Sequence, residues 1–68
     1  MVVKVMDLIG ESNSSWDDAV KGAVQQASKS VSNITGVELS NLTAGVRNGQ
    51  IYEYKANVRV AYDEQPKG

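Results

Sequence analysis

The 68-residue sequence predicts an α+β fold: a β-α-β-β subunit whose three-stranded antiparallel sheet, in the order 1-3-2, wraps one helix. Three observations carry that expectation. The N-terminal run VVKVMDLI is rich in β-branched residues and ends at Gly10, apolar residues recur at steps of three and four over residues 16–34, and an Asn48-Gly49 pair has extended stretches on both sides. The chain, residues 1–68, reads as a single domain with a strand at about 2–9, a helix at about 15–33, and strands at about 37–47 and 50–63.

In the first strand, Val3, Val5 and Ile9 occupy one face and Met6 and Leu8 the other. A domain of this size has one helix with which to cover a sheet. Two apolar faces on one strand therefore point to a second subunit as the cover for one of them.

The polar stretch ESNSS supplies helix-start signals in two registers, Ser14 with Asp17 and Ser15 with Asp18. Either serine can act as the N-cap, with its hydroxyl accepting from the backbone N–H three residues on and the aspartates at the positive end of the helix dipole. Trp16, Ala19, Val20, Ala23, Val24, Ala27, Val31 and Ile34 then form the apolar stripe, with Asp18, Lys21, Gln25, Lys29 and Ser32 opposite. Gly22 lies off the stripe, where the reading of a tolerant exposed position is favoured over a close backbone approach.

The Asn-Gly pair fits a type I′ turn that joins Arg47 to Gln50. An uninterrupted register from that turn sets Val37 opposite Val60, Leu39 opposite Val58, Thr43 opposite Tyr54 and Gly45 opposite Tyr52. The other face then pairs Glu38 with Arg59, Ser40 with Asn57 and Leu42 with Lys55. Tyr52, Tyr54 and Tyr62 share the apolar face with Ala56, Val58 and Val60, so the expectation for all three tyrosines is core packing. Strand direction places the third strand in the middle, and the tail DEQPKG after Tyr62 reads as polar and frayed.

Composition narrows the chemistry. No cysteine and no histidine are present, which excludes Ser-His-Asp and Cys-His catalysis, disulfides, thiol redox centres and His-ligated metals. At 68 residues a lone core is marginal, and with disulfides and zinc unavailable, oligomerisation is the remaining common source of stability. A net charge of -1 gives no attraction to phosphate backbones or anionic lipid, so neither nucleic acid nor a membrane is an expected partner. The N-terminus has no secretory pattern and no segment reaches the roughly 20 apolar residues of a bilayer span, which makes the expected location cytoplasmic.

With the elements in order, KVMDLIGES running into SSWDDAVKGAVQQASKSVSNI, then VEL at residues 37–39 and YEYKANVRVAYD at residues 52–63, the chain resembles the dodecin family over nearly its whole length. The resemblance implies a hollow homo-dodecamer of β-α-β-β subunits that binds and stores a small ligand, a flavin in many members, without catalysing a reaction. It places the family's flavin site at a tryptophan just before the second strand and a glutamine in the third. Here those positions are Gly36 and Lys55, so the stacking platform is gone and an amide is replaced by a cation. Stacking on an aromatic face contributes about 1 to 3 kcal/mol, so FMN or riboflavin is expected to be held weakly. The chain is similar to the subgroup without that tryptophan, for which the resemblance leaves bound ions as an alternative to flavin.

Other residues have a structural and a functional reading. Trp16 reads as packing rather than as a displaced flavin platform, and Lys55 beside Leu42 as solvation more than a phosphate contact. Glu38 and Arg59 form either a solvated cross-strand pair or part of an intersubunit network. Asp7, Glu11, Asp17, Asp18, Glu53 and Asp63 could gather a divalent cation such as calcium or magnesium at a symmetry axis, although their spacing matches no calcium loop. The sequence thus points to a non-enzymatic, homo-oligomeric small-ligand binding or storage protein. The alternative is a structural or ion-binding assembly with no physiological flavin.

Overall fold

A computed structural model describes residues 2–64. It contains β1 (Val2–Ser12), α1 (Trp16–Ser28), β2 (Ile34–Arg47) and β3 (Gln50–Glu64), with the sheet in the order β1-β3-β2 and both pairings antiparallel. This is the predicted topology. No helix among the described residues is long and apolar enough to cross a membrane.

β1 does not stop at Gly10. The glycine pairs with Ala56 and the strand runs on to Ser12. Gly10 is the point where α1 lies directly on the sheet, since a Cβ there would run into the carbonyl oxygen of Ala19 and come within 3.1 Å of the Ala23 methyl. Glycine here serves close approach rather than a turn. Ala19, Ala23 and Ala27 form the buried side of α1 and meet Ala56, Val58 and Val60 of β3, with Met6, Leu8, Val20 and Ile34 packed around them. Small residues bring helix and sheet close, but they leave a small core, whose largest fully buried side chains are two valines.

Ser15 is the N-cap: its hydroxyl accepts the Asp18 N–H at 2.9 Å, and Asp17 and Asp18 occupy the first turn. Asp18 also accepts from the Ser12 hydroxyl at 2.8 Å, which ties the helix start to the end of β1. The helix ends at Ser28 rather than near residue 33. After Lys29 the residues SVSNIT are β-branched and short polar side chains with weak helix propensity. The N–H groups of Lys29, Ser30 and Val31 turn back on the carbonyls of Gln26 and Ala27, and Asn33 takes a left-handed conformation with φ 60°. Ile34, expected as the last residue of the helical stripe, therefore begins β2 opposite Tyr62.

The Asn-Gly turn is as predicted, with φ 53° at Asn48, φ 74° at Gly49, and Arg47 opposite Gln50. The uninterrupted register is not. Val37–Val60, Glu38–Arg59 and Leu39–Val58 hold, but a bulge at Ser40 shifts the middle of the hairpin by one residue. Asn41 pairs with Asn57, Leu42 with Ala56, Thr43 with Lys55, Ala44 with Tyr54 and Gly45 with Glu53. A second bulge, at Tyr52, restores the turn register at Val46–Ile51. These two irregularities compensate, so the register that fits Gly36 to Leu39 and the turn fails between them, and a third shift, at Thr35, sets Ile34 opposite Tyr62. The Ser40 bulge lets Val37, Leu39, Leu42 and Ala44 all lie on the helix side of the sheet, because one extra residue reverses the alternation.

Tyr52 accordingly leaves the face of Tyr54 and Tyr62. Its ring fills the space beside Gly45, where a Cβ would lie 2.9 Å from the ring edge, and the Arg47 guanidinium sits 4.2 Å from the ring centroid. Tyr54 and Tyr62 are half-buried and lie outside the cluster of buried residues, Tyr54 edge-on to Trp16. At the C-terminal end, Asp63 and Glu64 continue β3 opposite Val3 and Val2 rather than fraying. Residues 65–68 of the expected tail lie outside the described residues.

Candidate functional site

Helix α1 covers β1 and β3 and scarcely meets β2. The other face of the sheet carries no element among the described residues. Along β3 this outer face presents Lys55, Asn57, Arg59 and Ala61, flanked on β1 by Glu11, Ile9, Asp7 and Val5 and on β2 by Thr43, Asn41, Glu38 and Gly36.

Both positions named from the sequence, Gly36 and Lys55, lie in this row. Gly36 pairs with Ala61, so the two positions are separated by six residues of β3, roughly 20 Å at about 3.3 Å per residue. One subunit does not bring them together. Gly36 is open, with nothing within 4 Å of a Cβ built there, and it offers no stacking surface. Lys55 does not stand beside Leu42. It is opposite Thr43 and Glu11, with its ammonium 3.8 Å from Glu11 and 3.8 Å from Glu53.

Between these positions lies an open groove of about 600 Å³ lined by Asp7, Leu8, Ile9, Ser40, Asn57, Val58 and Arg59. The Ser40 bulge sits on its β2 side. The Arg59 Nε donates to Asp7 Oδ1 at 3.1 Å, so the partner of Arg59 is Asp7 and not Glu38, which stands opposite on β2. The bond to Asp7, then the charge of Asp7 and that of Glu38, hold the guanidinium above its ordinary pKa, so Arg59 stays charged. Both partners are exposed, so solvent screening leaves the pair with little effect on stability.

Trp16 is placed by packing, as the sequence suggested. Its ring meets Tyr54 edge-on at 4.9 Å and its indole N–H donates to the Thr43 carbonyl at 2.7 Å. The carboxylates considered for a cation do not converge within one subunit: Asp17 pairs with Lys21, Asp18 with Ser12, Asp7 with Arg59, and Glu11 and Glu53 with Lys55. Among the described residues no three acidic side chains are grouped to hold a metal. Asp63 lines a separate cleft of about 320 Å³ with Ser30, Ser32, Asn33 and Tyr62.

Sequence reasoning missed the groove because it paired Ser40 with Asn57 in an unbroken ladder. The signal was present in β2, where apolar residues stand at Val37 and Leu39 and then at Leu42 and Ala44, a change of parity that only an extra residue accommodates.

The dodecin family profile matches residues 2–64. Among solved structures, the calcium dodecin of Mycobacterium tuberculosis, described as a calcium-chelating antigen with a calcium-binding site, is 33% identical with a TM-score of 0.82, over 100% of this chain and 97% of that one. Dodecin from Streptomyces davaonensis is 25% identical with a TM-score of 0.85, over 93% of this chain and 96% of that one. Dodecin from Streptomyces coelicolor shares the fold at 20% identity, with a TM-score of 0.90 over 97% and 94% of the two chains. Among curated protein sequences, none matches significantly.

Proposed function

The chain belongs to the dodecin family, and from that premise we propose that it is a non-enzymatic homo-oligomer, a dodecamer by family likeness, that binds and stores a small ligand. The observation that carries the reading is the unfinished subunit. Val3, Val5 and Ile9 on the outer face, and Val37, Leu39 and Leu42 on the helix side, are 43 to 63% exposed around a core whose largest side chains are valines. Copies of the same chain complete such packing, and clefts between copies hold the ligand.

The flavin version of this reading has a specific weakness, since Gly36 supplies no ring. Riboflavin added to the protein should be quenched only at high protein concentration, and Gly36→Trp should tighten binding about 10-fold or more, in keeping with about 1 to 3 kcal/mol of stacking. The added side chain meets open space, so the variant should fold. An unchanged affinity would remove Gly36 from the site. Light scattering after size exclusion tests the assembly, and a monomer mass at micromolar concentration would refute it.

A second reading is a divalent-cation assembly without physiological flavin. The 33%-identical relative described as calcium-chelating favours it, and exposed carboxylates at Asp7, Glu11 and Asp17 are available for symmetry to bring together. Calorimetric titration with calcium separates the two: heat on calcium addition with no quenching of riboflavin selects the second.

A further inference from the structure

The groove on the outer face contains polar groups that the fold leaves unused. Asn57 is half-buried on the central strand, and neither its amide nor the Ser40 hydroxyl forms a hydrogen bond among the described residues. The contact between Arg59 and Asp7 uses Nε and Oδ1, which leaves the two terminal guanidinium nitrogens and Oδ2 without hydrogen bonds among the described residues. The bulge that brings Ser40 to the groove interrupts the ladder beside Asn57, and bulges are common where a strand aims a side chain at a site.

These groups define a chemistry. A primary amide offers a donor and an acceptor side by side, which matches a ring edge carrying N–H beside C=O at two points. The charges oppose an anion, because Arg59, the cation among the groove's lining residues, stands between two carboxylates, Asp7 and Glu38, and Lys55 further along the row is beside Glu11 and Glu53. The volume of about 600 Å³ suits a small heterocycle. Resting on the small-ligand reading above, we propose that Asn57, flanked by Ser40 and the Asp7–Arg59 pair, reads the polar edge of an uncharged planar heterocycle and selects against its phosphorylated form.

Riboflavin and FMN share one ring system and differ by a phosphate, so fluorescence titration of both, on the native protein and on Gly36→Trp, tests the proposal. Riboflavin should bind more tightly than FMN, by several-fold at low salt, with the gap closing as salt rises. Asn57→Ala should weaken riboflavin about 3- to 10-fold, as expected for loss of one or two neutral hydrogen bonds. Asn57→Asp, nearly the same shape, should weaken it at least as much. Asn41→Ala, directly opposite on the same face but outside the groove lining, should leave the affinity unchanged. Riboflavin affinity indifferent to both Asn57 variants, or FMN bound more tightly than riboflavin, overturns this inference and leaves the storage reading intact. Riboflavin bound by neither protein overturns this inference and the flavin reading together.

Discussion

A methyl group added at Gly10 would occupy space held by the backbone of α1, which cannot yield as a flexible side chain can, because the obstacle is the Ala19 carbonyl. Gly10→Ala should therefore lift the helix from the sheet and cost about 3 kcal/mol or more, enough to unfold so small a domain. Gly22 is the opposite case. It lies inside α1 with nothing within 4 Å of a built Cβ, so Gly22→Ala should raise stability by about 0.5 to 1 kcal/mol through helix propensity alone. Urea titration of both variants measures the two signs, and a Gly10→Ala protein as stable as the parent would show that the helix can be displaced cheaply. The sequence supports tolerance at Gly22 from its place off the apolar stripe. It does not reveal the role of Gly10, because a close approach between β1 and α1 is a tertiary fact, and a glycine after a β-branched run reads as a strand end.

At the scale of elements, the legible features were those written locally. The serine cap with its first-turn aspartates, the Asn-Gly turn and the three- and four-residue spacing of the helix each rest on a few neighbouring residues. The helix end was misjudged because apolar spacing continues through Val31 and Ile34 while propensity falls away, and the turn at Asn33 uses the second of these as a strand residue. The bulge at Ser40 was missed because pairing from the turn and pairing at the far end agree with one register. The consequence for the candidate site was larger than a slip of one residue, since the groove, Asn57 and Ser40 all depend on that bulge. Deleting Ser40 tests its purpose. With the extra residue gone the strand alternates without a break, and Leu39, Asn41 and Leu42 face Val58, Asn57 and Ala56 as they already do, so one register keeps Val37, Leu39, Leu42 and Ala44 on the helix side. The deletion should therefore leave the helix side intact, seen as retained helical circular dichroism and an assembly of unchanged mass, while removing Ser40 from the groove. A dissociated or unfolded deletion protein would mean that the bend the bulge puts into the strand, and not parity alone, places those residues.

Across the whole molecule, shape makes the case for association. The described residues extend 56 × 18 × 13 Å with a radius of gyration of 14.1 Å, whereas a compact domain of this length has a radius of about 11 Å. The hairpin contributes to the excess, since its far part, with Val46, Ile51 and Tyr52 exposed, runs past the last β1 pairing at Ser12–Tyr54. Val37, Leu39 and Leu42 remain 43 to 49% exposed on the side the helix leaves uncovered. Burying a leucine fully is worth about 1.5 to 3 kcal/mol, so covering the exposed half adds about 1 kcal/mol at each position, repeated in every copy. A subunit completed in this way must lose stability on dilution, because mass action links folding to association. The apparent melting temperature should fall over about a hundredfold dilution. Leu39→Asp places a charge where the neighbouring copy would cover it and should shift the protein to small, easily melted species, while a charge at Asn41, one face over, should be better tolerated. A monomer that melts sharply at a temperature independent of concentration, with Leu39→Asp as stable as the parent, would mean that the uncovered face is simply solvated.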